Sequence, residues 1–548
     1  MKRLAIVATL AAVAVASADS SIVVLALPDL LARFDTSIET VSWVISAYNL
    51  AVAAAAFALG FAARRLDPGP AAAAGGALFL LASLGCAAAP GIGSLIALRS
   101  MQGLGAALIL VAALPLLRSL ASTPERASTL WATAGVFGAA LGPSLGGLIT
   151  ELLGWRVIFV AQAPVAALFL TAVLGRPVSA DTAPTSTVAP RGRRAWAAGA
   201  GLVLVSSGLV ALLFLAVLEL IDVRGYSPLA AGSAASTVAL TALAATPLAG
   251  LSAATEAGAL LLAGGLAGMA LVPGPGIVWS VAAFAVAGFG YGLAVPGLAR
   301  NVADGRRLAA AGGATSVALR HAGLVSGLLL LTPLLASNLV AAGDRAELRG
   351  IAVALDAPAD ISTKLQLTFD LAPLLAASER AAVPDFAAAT SRKGRGVAAI
   401  GRQVDAAVRA TLTGGFRRSF LLASLLALLA AAVMSLRGGF SHRAWLVPAT
   451  ALGLAAALLA ADLAGGASTY GTTPALAKPC LDGPSVTGTS TDASAQRAVL
   501  SALSFLSCRL HETREQLVAN TARHGIAAET FIHTLLRLAR LRALLTLN

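Results

Sequence analysis

The chain has few charged residues for its length. Asp, Glu, Lys and Arg make up 12% of its 548 residues, whereas hydrophobic residues make up 58%. A soluble domain has roughly 25% charged residues, so this composition excludes a water-soluble globular protein. Apolar segments of about 20 residues recur along the chain, and each is long enough to cross a bilayer as a helix. The sequence therefore predicts an all-α integral membrane protein.

Motifs of several functional classes are also missing. The sequence has no metal-ligand spacing, no phosphate-binding loop and no nucleophile triad. The glycine-rich GFGYG at 288–292 does not follow a strand, so we interpret it as helix packing and not as a nucleotide site. No basic-aromatic stretch stands outside the apolar segments, which argues against nucleic-acid binding. We expect no enzyme activity, no metal, no cofactor and no nucleic-acid partner.

Thirteen apolar segments qualify as membrane spans. They lie at 4–27, 41–62, 71–90, 93–117, 128–151, 157–175, 196–220, 229–250, 257–273, 277–299, 312–338, 418–437 and 443–463. Basic residues concentrate in alternate loops, for example Lys2 and Arg3 and the cluster at 191–194. Because basic loops stay in the cytoplasm, this asymmetry predicts a cytoplasmic N-terminus and accounts for the net charge of +13. An odd number of spans then places the C-terminal tail outside the cell membrane.

Two segments without a spanning pattern, 339–416 and 464–548, are both predicted to be extracytoplasmic. The tail contains Cys480 and Cys508, which are the only cysteines outside the spans. An oxidising compartment would let them form a disulfide, although two free thiols remain an alternative. Cys86 lies in the third span, where we expect it to serve packing.

The fifth apolar span carries the most specific motif, GVFGAALGPSLGGLI, at 135–149. Gly138, Gly142 and Gly146 are four residues apart, so on a helix they share one face and leave a groove for a neighbouring backbone. Pro143 and Gly147 lie beside them, and Pro143 removes one helical hydrogen bond. This pattern resembles the antiporter motif of drug/proton exporters of the major facilitator superfamily.

Further segments resemble the fourteen-span drug/proton antiporter branch of that superfamily. They are ADSSIVVLALPDL at 18–30, SWVISAYNLA at 42–51, LRSMQGLGAA at 98–107, VRGYSPLAAG at 223–232 and ALRHAGLVSG at 318–327. The loop after the second span departs from the branch, because Arg64 stands where the branch has Asp. The two extra central helices of the branch are also missing.

The resemblance implies the major facilitator fold, with two six-helix bundles, about one added transmembrane helix, and an extracytoplasmic loop and tail. The predicted parts are an N-terminal bundle at 1–175, a cytoplasmic linker at 176–195, five helices of the second bundle at 196–338, a loop region at 339–416, the last bundle helix at 417–437, an extra span at 443–463 and the tail at 464–548.

Ionisable residues inside spans are functional candidates, because burying a charge in a membrane costs at least about 2.5–3.5 kcal/mol. Asp19 lies roughly 12 Å from the outer end of its span and Arg99 roughly 9 Å from the same side, at 1.5 Å per residue. We therefore predict that Asp19 and Arg99 couple proton movement, and a static structural pair is the alternative. Tyr48, Gln102, Gly103 and Arg320 are predicted to line the substrate path or a gate.

The resemblance implies a proton-coupled exporter of hydrophobic or amphipathic small molecules that works by alternating access in the cell membrane, and we expect it to be monomeric. Its expected partners are the small-molecule substrate, protons and the lipid bilayer, and the proton gradient replaces any cofactor. An exporter of a lipid or envelope precursor is one alternative. A transporter-like scaffold or sensor that moves nothing is the other, and the altered loop at Arg64 favours it.

Overall fold

A computed structural model describes residues 2–62, 67–174, 192–251, 253–271, 276–303, 309–377, 383–391, 394–435, 476, 480 and 491–545. The regular segments among these residues are helical, and no β-strand occurs in them. The chain divides into two compact units. The first comprises Met1–Ile221, Gly225–Ala336 and Arg417–Ser468, and the second comprises Asp222–Arg224, Ser337–Phe416 and Thr469–Asn548.

Six spans form the N-terminal bundle of the first unit. They are α1 (Lys2–Ile22), which continues through a short 3-10 turn (Val23–Ala26) into α2 (Leu27–Phe34), then α3 (Ile38–Ala62), α4 (Pro68–Ala88), α5 (Ile92–Leu120), α6 (Pro124–Leu153) and α7 (Arg156–Val173). Local signals fix several starts. The Asp67 carboxylate accepts from the Gly69 amide before α4, and the Thr123 hydroxyl accepts from the Arg126 amide before α6, and such side chains satisfy the first amides of a helix.

The C-terminal bundle is built from the next six spans. They are α8 (Gly192–Leu218), extended by a π-helical turn (Glu219–Val223), then α9 (Pro228–Ala245), α10 (Ala254–Leu271), α11 (Ile277–Ala303), and the parts of α12 (Ala309–Asp356) and α15 (Arg395–Ser435) that belong to the first unit. Twelve helices among the described residues are long and apolar enough to cross a membrane. Each of them contains or overlaps one of the first twelve predicted spans. The thirteenth, at 443–463, lies outside the described residues, as do Arg64 and most of the 176–195 linker.

Two helices extend well past the predicted ends of their spans. The apolar runs stop near 338 and begin near 418, yet α12 continues to Asp356 and α15 already begins at Arg395. Beyond the runs, the apolar residues narrow to one buried face, which includes Leu339 and Ala342 on α12 and Val408 on α15. A helix can continue when only one of its faces is apolar. A prediction from mean hydropathy alone therefore ends these two helices too early.

The second unit joins the loop region to the tail. Its other helices are α13 (Ile361–Ala377), α14 (Phe386–Ser391), α16 (Thr491–Leu510), α17 (Arg514–Arg523) and α18 (Ala528–Leu545). The helix α13 packs against α17 and α18, and the rings of Phe369 and Phe531 lie 5.6 Å apart. Arg514 binds both carboxylate oxygens of Asp356 at 2.8 Å. Hydropathy predicts the loop and the tail as separate segments, whereas both belong to one compact unit.

The tail cysteines are bonded to each other. The sulfurs of Cys480 and Cys508 are 2.03 Å apart and the Cα atoms 5.2 Å apart, which is the pairing that the sequence favours. Cys508 lies near the end of α16, and Cys480 precedes that helix in the chain. The bond therefore links Cys480 to the first described helix of the tail. Cys86 is a buried free thiol in α4.

We expect the disulfide to close a tail that lies outside the cell membrane. A membrane-impermeant maleimide applied to intact cells should label Cys480 and Cys508 only after reduction, and reduction should destabilise the second unit by about 3–4 kcal/mol in the chain-entropy account of loop closure. A Cys86→Ala variant controls for the third thiol. Labelling of the tail without reduction would mean that Cys480 and Cys508 are free thiols and would contradict the disulfide. Protection in both conditions, lost when the cells are opened, would put the tail in the cytoplasm.

Candidate functional site

A closed ring of hydrogen bonds lies in the core of the N-terminal bundle. Arg99 on α5 pairs with Asp19 on α1 through Nη1 and Oδ2, and the same Nη1 donates to Gln102 Oε1 at 2.5 Å. Gln102 Nε2 donates to Gln162 Oε1 at 2.6 Å, and Gln162 Nε2 donates to Asp19 Oδ1 at 2.6 Å. The ring thus returns to the carboxylate from which it starts. Asp19, Arg99 and Gln102 are fully buried.

Neighbouring helices hold the ring in place. Arg99 Nε donates to the Val44 carbonyl at 3.0 Å, and its guanidinium lies over the Tyr48 ring, 4.3 Å from the centroid. The Phe159 ring lies 5.7 Å from the same guanidinium. Aromatic faces attract cations most strongly where water is absent. Arg99 is therefore fixed in position and orientation by α3 and α7, and Asp19 is its partner of opposite charge.

Three residues predicted to line the substrate path or a gate lie in this buried core. The Tyr48 hydroxyl donates to the Ala16 carbonyl at 2.8 Å, and the side chain is fully buried. Gln102 is a member of the ring. At Gly103, an added Cβ would overlap the Tyr48 carbonyl, so this glycine permits close approach of α5 to α3. In this structure Tyr48 and Gln102 contact Arg99, and Gly103 lies at a close contact between two helices.

Arg320 lies in a different place, on a cavity between the two bundles. The cavity has a volume of about 90 Å³ and is lined by faces of α1, α6, α8, α9, α11 and α12. Most lining side chains are apolar, such as Val136 and Leu213, and the polar ones are Ser17, Ser20, Ser21, Tyr291 and Arg320. Asp19 directly precedes Ser20 in α1 but is not among the residues that line the cavity.

A second polar link crosses from one bundle to the other beside the cavity. His321 Nδ1 on α12 lies 2.7 Å from Asn49 Oδ1 on α3, and the Ser20 hydroxyl donates to the same oxygen at 2.9 Å. Sequence reasoning missed Asn49 and Gln162. Both are uncharged polar side chains in otherwise apolar spans, which is the signal that could have found them.

The glycine face of α6 contacts two different neighbours. A Cβ at Gly138 or Gly146 would overlap the backbone of α1 at Ala14 or Ile22, and one at Gly142 would overlap Ser21. On another side of α6, a Cβ at Gly147 would overlap the Pro228 carbonyl of α9. The predicted close-packing face therefore holds α1 within the N-terminal bundle, and Gly147 contacts the other bundle.

The two bundles touch at both ends of the spans. The carboxyl end of α6 meets the amino end of α9, where the Leu229 amide donates to the Glu151 carboxylate at 2.9 Å. At the opposite end, an added Cβ at Gly60 of α3 would lie 3.5 Å from the Ala314 Cβ of α12. Alternate helices run in opposite directions, so these contacts lie on opposite sides of the cavity. The two bundles are thus in contact on both sides of the cavity.

Comparisons with known proteins agree with this architecture. The drug efflux pump JefA of Mycobacterium tuberculosis is 32% identical over 188 residues, which are 34% of this chain and 37% of JefA. The methylenomycin A resistance protein of Streptomyces coelicolor is 32% identical over 186 residues, or 33% of this chain and 38% of that protein. The matched stretches thus span little more than a third of these curated relatives.

The comparison with solved structures shows a shared fold and nothing about function. A bacterial homologue of the human lysosomal transporter Spinster, crystallised in an inward-facing and unoccupied conformation, matches with a TM-score of 0.54 and 15% identity over 80% of this chain and 99% of that one.

The model of the Major Facilitator Superfamily matches residues 9–329, more than half of the chain. This multi-pass membrane protein therefore belongs to the major facilitator superfamily of transporters.

Proposed function

We propose that this protein exports hydrophobic or amphipathic small molecules in exchange for protons, by alternating access and without ATP. The observation that carries the proposal is the fully buried Asp19–Arg99 pair in its closed ring. The relatives support the direction of transport, because those compared above are a drug efflux pump and a methylenomycin A resistance protein.

The pair is suited to coupling because only one member can titrate. Arginine stays charged at any physiological pH, so protonation of Asp19 leaves Arg99 as an uncompensated charge. Leaving one member of a buried pair alone costs about 3–5 kcal/mol. The protonated protein relieves this cost by moving α1 relative to α5, which admits water or another anion to Arg99. Proton binding is thereby linked to helix movement.

The link to substrate passes along α1. Asp19 is followed by Ser20 and Ser21, which line the cavity between the bundles, and Ser20 contacts the inter-bundle link through Asn49. A movement of α1 that follows protonation therefore changes the cavity wall and the contact with α12 together. The proposal also takes the N-terminus as cytoplasmic, the second unit as extracytoplasmic and the single chain as the working transporter.

Transport by purified protein in proteoliposomes tests the proposal. With an imposed pH gradient, we expect a lipophilic fluorescent substrate to accumulate against its concentration gradient while an internal pH dye reports proton movement in the opposite direction. A proton ionophore should abolish both signals, and added ATP should change neither. Liposomes containing the heat-denatured protein provide the background. Accumulation that ignores the ionophore would contradict proton coupling, and no accumulation of any substrate in a broad panel would favour a non-transporting scaffold.

A further inference from the structure

The cavity between the bundles carries an unbalanced positive charge. Among the described residues that line it, Arg320 is the only one with a formal charge. The carboxylate nearest in sequence to the lining serines, Asp19, is already engaged by Arg99 and Gln162. In a surrounding of low dielectric constant an uncompensated charge acts strongly on a ligand. A cationic ligand is therefore disfavoured in this cavity and an anionic one is favoured.

Two hydrogen-bond donors of the cavity wall have no partner among the residues that the structure describes. Nε of Arg320 and the hydroxyl of Tyr291 are both buried and have no hydrogen bond within the described part of the chain. Leaving a buried donor unsatisfied is unfavourable, and nearly all such groups in folded proteins have a partner. Arginine can only donate, and its planar fork fits a carboxylate or phosphate oxygen. Both groups therefore suit an acceptor of negative charge.

The other side chains of the cavity wall indicate what the uncharged part of the ligand is. Val136, Leu213 and Val238 are typical of the lining, and they favour an apolar body. A volume of about 90 Å³ holds a charged head group but not a drug-sized molecule, since pockets for those are about 300–1,000 Å³. The apolar body therefore needs more space than the cavity has in this arrangement of the bundles.

Arg320 is held at the cavity by its neighbour in sequence. His321 reaches Asn49 on the opposite bundle at 2.7 Å, so the turn of α12 that carries Arg320 is fastened to α3. The donor is thus positioned by the protein before any ligand arrives, which reduces the entropy lost on binding.

We propose that the transported molecules are small amphipathic anions, whose charged acceptor group binds to Arg320 and Tyr291 while the apolar body contacts the aliphatic wall. This inference rests on the proposed export function and narrows its substrate class.

Equilibrium binding to the full-length protein in nanodiscs tests the inference without any proton gradient. Three probes share one ring system: naphthalene-2-carboxylate, naphthalene-2-carboxamide and (2-naphthylmethyl)trimethylammonium. We expect the carboxylate to bind at least about tenfold more tightly than the other two, because a hydrogen bond to a charged group contributes about 1.5–3 kcal/mol. Arg320→Gln should remove this preference and leave amide binding within about twofold, whereas Arg320→Lys should retain part of it. Tyr291→Phe should weaken carboxylate binding about tenfold.

The controls separate the two proposals. Arg156→Gln removes an arginine that stacks on Trp155 outside the cavity and should leave the preference unchanged, and thermal melting checks that each variant is folded. Equal or tighter binding of the cation by the wild type, or an unchanged preference in folded Arg320→Gln, would overturn the anion inference. Proton-driven export of cations would contradict the anion inference and support the proposed export function. Anion-selective binding without any transport would support the anion inference and contradict the proposed export function.

Discussion

Asp19→Asn is expected to abolish proton-driven transport. Asparagine keeps the size of the side chain but cannot titrate, and it replaces one of two accepting oxygens with a donor. Arg99 and Gln162 both donate to Asp19, so one of the two contacts becomes a contact between donors. Arg99 also loses its counter-charge, which costs about 3–5 kcal/mol for a buried pair. Substrate accumulation and the proton signal in proteoliposomes should both fall to background.

A second variant distinguishes loss of coupling from loss of fold. The double variant Asp19→Asn/Arg99→Gln removes both charges, so its core is neutral and should fold better than the single variant. We expect it to be expressed and monodisperse yet unable to accumulate substrate against a gradient. Asp29→Asn, which removes another carboxylate from the same first span, should transport normally. Wild-type accumulation by either Asp19 variant would remove Asp19 from the mechanism.

Gly138→Leu is expected to disrupt the N-terminal bundle itself. Even a Cβ at this position overlaps the backbone of Ala14, and a backbone cannot move aside as a flexible side chain can. The helix α1 must shift away from α6, and Asp19 shifts with it. Overpacking typically costs about 1–3 kcal/mol and occasionally more, and the displaced ring adds to this. The folded yield and melting temperature should fall, and no transport should remain.

Gly147→Leu should behave differently, although it lies on the same helix. Its Cβ meets the Pro228 carbonyl of α9 in the other bundle, so the substitution prevents closure at that end and does not disturb α1. We expect a folded protein that binds substrate and fails to turn over. Gly93→Leu, where an added Cβ has nothing within 4 Å, is the matched control. Normal transport by both Gly138→Leu and Gly147→Leu would mean that these contacts are absent in the membrane.

Several properties follow from local sequence alone. The length and hydropathy of a run set whether a helix can span a bilayer, so the first twelve spans can be located without knowing their neighbours. The glycines of α6 are four residues apart, which predicts a helix face without side chains. This prediction needs only the local sequence, because residues four apart on a helix lie on the same face. The similar depths of Asp19 and Arg99 follow from the rise per residue.

Other properties depend on which helices become neighbours. Tyr48 and Gln102 lie on spans that could present them to a substrate path, yet the packing of α3, α4, α5 and α7 buries both around Arg99. The same packing selects Gln162 as the fourth member of the ring, and the packing of α12 turns Arg320 toward the cavity.

The sequence by itself therefore determined the membrane class, the spans and the charged residues that a bilayer makes costly. Only the tertiary structure decided which polar groups satisfy each other and which face the cavity, and that the loop and tail form one unit. The physical reason is that span formation depends on the transfer of one segment into lipid, whereas each buried hydrogen bond and ion pair requires two distant segments to meet at a defined rotation about their helix axes.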